Sequence, residues 1–244
     1  MSKGSEHSES KLRLQGSGLR VVIGTFVAPL IQGVLLFVAA GHVNLFRGWL
    51  CLAIGLVSMF GGILVVSIFN PALVNERGRW SKKVDTKWWD KWLVPVYAII
   101  AFYVVPLVMG LDVGRYNWSQ PELAIGWAFL GGVMFIAGSV IIHWAMIVNR
   151  HFETTVRIQE DREHKVIMAG PYKFVRHPGY VGAILWGISA PLIVGSVWAM
   201  IPTVIAIALL VFRTWLEDRT LHGELDGYTD YAHRVRCRLV PWLW

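Results

Sequence analysis

An all-α, polytopic transmembrane helical bundle of about six spans is the architecture this sequence predicts, and three observations point to it. Of its 244 residues, 55% are hydrophobic and only 16% are charged, where a soluble domain carries roughly a quarter charged residues. The apolar residues gather in runs of about 20, the length a helix needs to cross the hydrocarbon core, and lipid offers no partner to unpaired backbone, so the runs must be helical. Lysine and arginine, finally, concentrate in alternate connections between those runs, all but Arg47 and Arg115.

Residues 1–20 are polar and rich in Ser and Gly. They read as a disordered leader, because a signal peptide needs an apolar stretch and a small-residue cleavage site. Spans are expected at 21–41, 48–70, 92–110, 122–148, 178–195 and 199–216. The last two contain Pro191 and Pro202 and are joined only by Gly195–Trp198, which predicts a tight hairpin that tilts or crosses incompletely. Trp49, Trp92, Trp118, Trp198, Trp242 and Trp244 stand where apolar runs meet polar ones, the level at which an indole is most at home. Gly61, Gly62, Gly131, Gly132 and Gly138 mark close helix packing rather than ligand contact.

With six spans, all but Arg47 and Arg115 of the 23 basic residues fall on one side. Five or seven spans break that asymmetry. The positive-inside rule makes this side cytoplasmic and places both termini there. The net charge of +7 is distributed between apolar runs, so its expected partner is anionic membrane lipid and not nucleic acid. Cys51 and Cys237 lie in a span and in the C-terminal tail, so no disulfide is expected. No Cys/His cluster has zinc spacing, and no metal is expected.

Three stretches on the basic side are candidates for chemistry. The first, Asn70–Trp92, reads as an interfacial helix with Trp80, Trp88, Trp89 and Trp92 facing lipid, in preference to a part of the site. The second, Asn149–Tyr180, is a long polar connection of the kind that is either functional or disordered. Val156, Ile158, Val166, Ile167, Tyr172 and Phe174 are available to pack, which predicts order. Gly170-Pro171 signals a turn, and Pro178 holds His177 extended before starting a helix. That start presents free N–H groups between His177 and Tyr180; a ligand site and a lipid-facing re-entry both fit it. The third stretch is Phe212–Trp244. Arg213 and Glu217 share a helix face, where they either snorkel and pair or form part of a site. Tyr228, Tyr231, Arg234, Arg236 and Arg238 then form a basic, aromatic tail expected to lie on the headgroups.

These residues together resemble the isoprenylcysteine carboxyl methyltransferase family and its bacterial relatives. The pattern is His164-Lys-Val-Ile, Gly170-Pro-Tyr and Arg176-His-Pro-Gly-Tyr180, then Phe212-Arg213 with Glu217-Asp218, and the closing Tyr228, Tyr231, Arg234-Val-Arg and Pro241. It covers roughly the last 95 residues; the first 120 match in hydropathy and in the Asn70–Trp92 connection. The resemblance implies N-terminal membrane helices over 21–120, with the interfacial segment at 71–91, and a catalytic region over 121–244 that forms a cytoplasm-facing pocket for S-adenosylmethionine. It implies that Gln159, His164, Val166, Ile167 and Tyr172 line the donor site, and that His177, Pro178, Gly179 and Tyr180 hold its nucleoside and methionyl parts. Glu217 would pair with the charged methionyl end and Arg213 would face the acceptor. A carboxylate acceptor needs no base and Arg213 could orient it as a bidentate partner; an amine or hydroxyl would need a base, for which His177 and Glu217 are the nearest candidates. The sequence departs from the family where a Glu-Glu pair is usual, having Glu217-Asp218. The implied acceptor is a lipophilic small molecule or lipid-modified group, and the implied location is an inner bacterial membrane.

Two other classes are compatible with the hydropathy. A sterol-reductase-type membrane reductase using NADPH resembles this family in its C-terminal half but generally has a longer chain. A non-enzymatic lipid- or haem-binding protein would need ligands; His42 and His143 are not a recognisable pair and read as hydrogen-bonded packing residues.

Overall fold

The computed structural model describes residues 13–79, 85–119 and 123–240. The leader up to residue 12, Trp80, Pro241, Trp242 and Trp244 lie outside the described residues. Every regular element among the described residues is helical: α1 Gly16–Ala40, α2 Phe46–Phe69, α3 Pro71–Arg77, α4 Asp90–Tyr116, α5 Ile125–Val148, α6 Pro178–Val194, α7 Met200–Glu224 and α8 Tyr228–Arg234. Five of these (α1, α2, α4, α5, α7) are long and apolar enough to cross a membrane, and α6 is a shorter apolar helix.

Helix α1 starts at Gly16, five residues before the expected Val21. Its own Gln15 gives no side-chain cap. Instead Asn75 of α3 accepts from the Gln15 amide at 2.7 Å and donates to the Arg13 carbonyl at 2.9 Å, an N-terminal cap supplied from 60 residues away. Leu73 and Val74 beside it are fully buried. The expectation of a lipid-facing interfacial helix over 71–91 is therefore corrected: α3 is packed into the bundle, although Trp88 and Trp92 are exposed as predicted.

Helix α4 contains two π-helical stretches, Ile100–Val104 and Leu111–Tyr116. The first precedes Pro106, whose ring lacks an N–H and crowds the carbonyl four residues back, so the backbone widens to re-pair its groups. The second ends on Asn117 in the left-handed region, φ 52°, which asparagine tolerates.

Helices α5 and α6 touch backbone to backbone. A Cβ on Gly138 would lie 2.7 Å from the Gly182 carbonyl, and one on Gly182 2.6 Å from the Gly138 carbonyl. Gly131 meets the Ser189 carbonyl and Ile193 in the same way, and Gly62 of α2 accommodates the His143 ring. Gly61, by contrast, has nothing near it. His143 and His42 are hydrogen-bonded to the Ser139 and Gly114 carbonyls, as expected of packing residues.

With 17 residues, α6 is about 25 Å long, short of the roughly 30 Å core. Arg47 makes up the difference at the far end, donating to the carbonyls of Ile193 (2.7 Å), Leu192 (2.8 Å) and Leu123 (2.6 Å). Beside it the fully buried Asp112 accepts from the Ser119 amide and hydroxyl and the Ser196 hydroxyl, at 2.6 to 2.8 Å. At the opposite end α7 runs to Glu224, well beyond the expected limit at 216, because its charged last turns are paired rather than solvated. Arg47→Ala is expected to cost about 3 kcal/mol or more, since three carbonyls lose a charged donor. Arg115→Ala removes one exposed bond to the Val38 carbonyl and should cost less than about 1 kcal/mol. Thermal unfolding in detergent compares the two.

Candidate functional site

A cavity of about 420 Å³ opens at the end of the bundle that carries the Asn149–Tyr180 connection, within the range of small-molecule sites, roughly 300–1,000 Å³. All eleven residues singled out from the sequence line it: Gln159, His164, Val166, Ile167, Tyr172, His177, Pro178, Gly179, Tyr180, Arg213 and Glu217. Four further groups were not anticipated. Arg77 comes from α3, Val94, Tyr97, Ala98 and Phe102 from α4, Asn149 and His151–Val156 from the start of the long connection, and Tyr228 and Tyr231 from α8.

The connection folds on its own polar groups. Asn149, at the end of α5, donates to the Tyr172 hydroxyl (2.8 Å) and accepts from the His151 amide (2.8 Å). Gln159 is almost wholly buried; its amide donates to the His151 carbonyl (2.8 Å), while its oxygen accepts from Arg162 (3.0 Å) and faces His151 Nδ1 (3.2 Å). Gln159 thus lines the cavity with both ends of its amide engaged. Ile158, Val166, Ile167 and Tyr172 pack against Leu225, Tyr228 and Tyr231 as an apolar floor. Phe174, expected to pack, is 65% exposed.

The rings of His151 and His164 lie 4.6 Å apart. Burial foremost, then the neighbouring His151 ring and Arg157 and Arg162, hold His164 down at about 4 against the pull of Glu153. Burial likewise lowers His151. Both rings are neutral at neutral pH, so they add no positive charge to the cavity wall.

The His177-Pro178 re-entry is clamped from the tail. The amides of Arg176 and His177 donate to the carbonyls of Cys237 and Arg238 (both 3.0 Å). Arg176 binds both oxygens of Asp218 (2.8 and 3.0 Å) and the carbonyls of Val235 and Arg236 (both 2.9 Å). Asp218, 1% exposed, also takes bonds from Tyr228 (2.8 Å) and Arg238 (2.7 Å) and faces His177 Nε2 at 3.2 Å. The shorter acidic residue of the pair is therefore the buried hub that holds the tail against the re-entry. Tyr228 and Tyr231 are buried, which corrects the expectation that they lie on the headgroups, while Arg234 and Arg236 are exposed.

Arg213 and Glu217 lie one helical turn apart on α7 and meet at Tyr180. The Tyr180 hydroxyl accepts from Arg213 Nη1 (2.5 Å) and donates to Glu217 in a short hydrogen bond, while its ring stacks on His177 at 5.7 Å and 17°. The other edge of the Arg213 guanidinium is taken by Asp90, fully buried at the start of α4, at 2.7 and 3.1 Å, with a further bond to the Thr154 carbonyl (2.8 Å). Asp90 also accepts from the Val156 amide (2.7 Å). The expected bidentate grip of Arg213 on an acceptor carboxylate is corrected accordingly: its fork already holds a carboxylate of the protein. Among the described residues no direct ion pair holds Glu217; Tyr180 hydrogen-bonds to it, and Arg213, one turn back and forked on Asp90, acts on it through space. Glu217 is a carboxylate facing the cavity with charge to spare.

The wall changes character along its length. Val94, Ala98, Phe102, Ile142, Ala183, Trp186 and Leu210, all within the helices, carry the cavity in among the spans, where a second space of about 80 Å³ shares Phe102, Ala183, Trp186 and Leu210 with it. The arrangement can hold a polar cation at one end and a lipophilic chain at the other.

Residues 131–223 match the model of the Isoprenylcysteine carboxyl methyltransferase (ICMT) family. A probable protein-S-isoprenylcysteine O-methyltransferase of Oryza sativa subsp. indica is 36% identical over 129 residues, 49% of this chain and 65% of that protein. Protein-S-isoprenylcysteine O-methyltransferase B of Arabidopsis thaliana is 28% identical over 112 residues, 43% of this chain and 55% of that protein. The Rattus norvegicus protein-S-isoprenylcysteine O-methyltransferase is 28% identical over 151 residues, 56% of this chain and 50% of that protein. The chain thus spans between 50% and 65% of the length of these relatives. A solved structure of the eukaryotic intramembrane Ras methyltransferase ICMT covers 94% of this chain and 98% of its own, with a TM-score of 0.50 at 13% identity, a likeness of fold. The resemblance read from the sequence motifs is borne out by these matches, and so is the all-helical, polytopic architecture.

The cavity-lining histidines make one pH dependence testable. Above about pH 6.5, the ordinary histidine value, neither the folded nor the unfolded chain protonates His164. Between about 6.5 and about 4 the unfolded chain takes the proton first, so stability falls with pH, by up to about 3 kcal/mol. His164→Gln should flatten part of that fall in thermal unfolding scans between neutral pH and pH ~4.5.

Proposed function

We propose that this chain is an integral membrane methyltransferase that transfers a methyl group from S-adenosylmethionine to a lipophilic or lipid-modified acceptor, with a carboxylate as the receiving group. The observation that carries this reading is Glu217: a carboxylate with no direct ion pair among the described residues, facing a cavity that is polar at one end and apolar at the other. A donor with a positively charged methionyl end fits that carboxylate, whereas a dinucleotide would bring several negative charges to it; the family match supports the methyltransferase over the reductase reading.

Bound there, S-adenosylmethionine supplies an electrophilic methyl group on a sulfonium, whose S–CH₃ bond breaks as the bond to the acceptor oxygen forms, leaving a neutral thioether and a methyl ester. An ionised carboxylate needs no general base, and the Tyr180 hydroxyl is already held between Arg213 and Glu217. In this reading Glu217 pairs with the methionyl ammonium. His177, Pro178, Gly179 and Tyr180 form one wall, and His164, Val166, Ile167 and Tyr172 the other; Gln159 braces His151. Arg213 positions Tyr180 and thereby Glu217. The span residues Phe102, Trp186 and Leu210 exclude water and receive the acceptor's apolar part, so positioning in a dry site supplies much of the rate.

The basic side of the chain and the cavity coincide, and both ends of the described chain lie there. By the positive-inside rule the site faces the cytoplasm, where the donor is available.

Calorimetry with S-adenosylhomocysteine on the purified protein tests the donor site. Wild type should bind it and should not bind NADPH. Glu217→Ala should weaken binding by about tenfold or more, the loss of a charged hydrogen bond. Turnover is read with an N-acetylated S-isoprenylcysteine as acceptor, by mass spectrometry for the methyl ester. Wild-type affinity in both Glu217→Ala and His177→Ala would mean that the donor sits elsewhere.

A further inference from the structure

Five cationic side chains line the cavity besides its histidines: Arg77, Arg157, Lys165, Arg176 and Arg213. Three of them are spent on carboxylates of the protein. Arg157 holds Glu153 at 3.0 Å and Asp161 at 2.7 Å, Arg176 holds Asp218, and Arg213 holds Asp90. Lys165 has a side chain that is 70% exposed and lies 3.7 Å from Glu163, so it belongs to the rim.

Arg77 is different. It projects from the last turn of α3, is part-buried, and among the described residues hydrogen-bonds from Nη1 to the Phe152 carbonyl at 3.1 Å, with its guanidinium 5.7 Å from the Phe152 ring centre. Among the described residues it pairs with no carboxylate. Glu153 acts on it through space but is held by Arg157 and Arg162. Burial, the leading effect, pulls Arg77 down to about 10; it stays charged at neutral pH. A guanidinium kept in a partly dry wall without a counter-ion is costly unless an anion arrives to pair with it.

The Phe152 ring beneath it packs on Gly179, where a Cβ would collide with it. Arg77 therefore stands over the re-entry that forms the donor wall in the reading above, and on the side of the N-terminal helices. We infer that Arg77 is the anion-receiving residue of the cavity, and that it binds the carboxylate of the acceptor. The inference rests on the methyltransferase reading and deepens it: Glu217 answers the donor's positive end, Arg77 the acceptor's negative one, and Arg213 keeps the two walls in register.

The donor carries a carboxylate too, and the experiment separates the two sources. Wild type, Arg77→Gln and Arg77→Lys are compared for S-adenosylhomocysteine affinity and for KM with the N-acetylated S-isoprenylcysteine, with thermal unfolding as the check on folding. The same compound bearing a primary amide in place of the carboxylate serves as a competitive inhibitor. Arg77→Gln should keep its S-adenosylhomocysteine affinity, raise the acceptor KM by roughly ten- to a hundredfold, and bind the amide as wild type does. Arg77→Lys should recover part of the loss. An unchanged KM in Arg77→Gln overturns the inference, as does a loss of S-adenosylhomocysteine affinity, which would assign Arg77 to the donor's carboxylate. Should Arg77→Gln not fold, Arg77→Lys carries the test: it should raise KM by a smaller factor, and no change would overturn the inference. A wild type that binds no S-adenosylhomocysteine would defeat the methyltransferase reading itself.

Discussion

The ion pair between Asp90 and Arg213 joins the two halves of this molecule. Asp90 is the first residue of the third long helix, Arg213 sits within the last one, and the carboxylate also takes the Val156 amide from the long connection. Both charges are buried. A charge in such a place is tolerated only when it is paired and its remaining donors are satisfied, and each requirement fixes a neighbour. The fork of Arg213 needs Asp90; its third nitrogen needs the Tyr180 hydroxyl; Tyr180 in turn needs Glu217. The position of the acidic group that faces the cavity is the end of that chain of demands.

A second buried carboxylate, Asp218, does the same for the far wall, gathering Arg176, Arg238, His177 and Tyr228 around it. Two adjacent acidic residues on one helix thus divide their labour by direction. Asp218 faces the tail and is saturated; Glu217 faces the cavity and is not. Once the protein's own pairs are assigned, the cavity retains one carboxylate, Glu217, and one part-buried guanidinium, Arg77, neither in a direct ion pair among the described residues. The rest of its wall is apolar and continues among the spans. That leftover charge distinguishes the cavity from a merely packed helix boundary.

Much of this was legible in the chain. Spans followed from run length, the common side of the polar connections from the placement of Lys and Arg, and the cavity's C-terminal wall from the His-Pro re-entry and the acidic turn at Glu217. What could not be read depends on partners distant in sequence. Asn75 caps a helix that begins 60 residues earlier, so α1 starts before its apolar run does. Asp90 and Arg77 look, in sequence, like ordinary members of a solvated charged segment; only the fold reveals that one is fully buried and that the other lines the cavity. The Asn70–Trp92 stretch was misread because its tryptophans dominate its composition, and two of them are indeed exposed, while Leu73, Val74 and Asp90 between and before them are buried. The tail hides its fold for a related reason: arginines and tyrosines suit a headgroup layer, but Asp218 gives Tyr228 and Arg238, and the Tyr172 carbonyl gives Tyr231, a partner inside.

The coupling of Asp90 with Arg213 is the first link in the placement of Glu217. A double-mutant cycle with Asp90→Ala, Arg213→Ala and the pair, read by thermal or denaturant unfolding in detergent, measures it. Each single change should be strongly destabilising, since it strands a buried charge, and the double change should cost well under the sum, with a coupling of at least ~1 kcal/mol. Additive losses would mean that the two charges are held independently, and the chain of demands that places Glu217 would lose its first link.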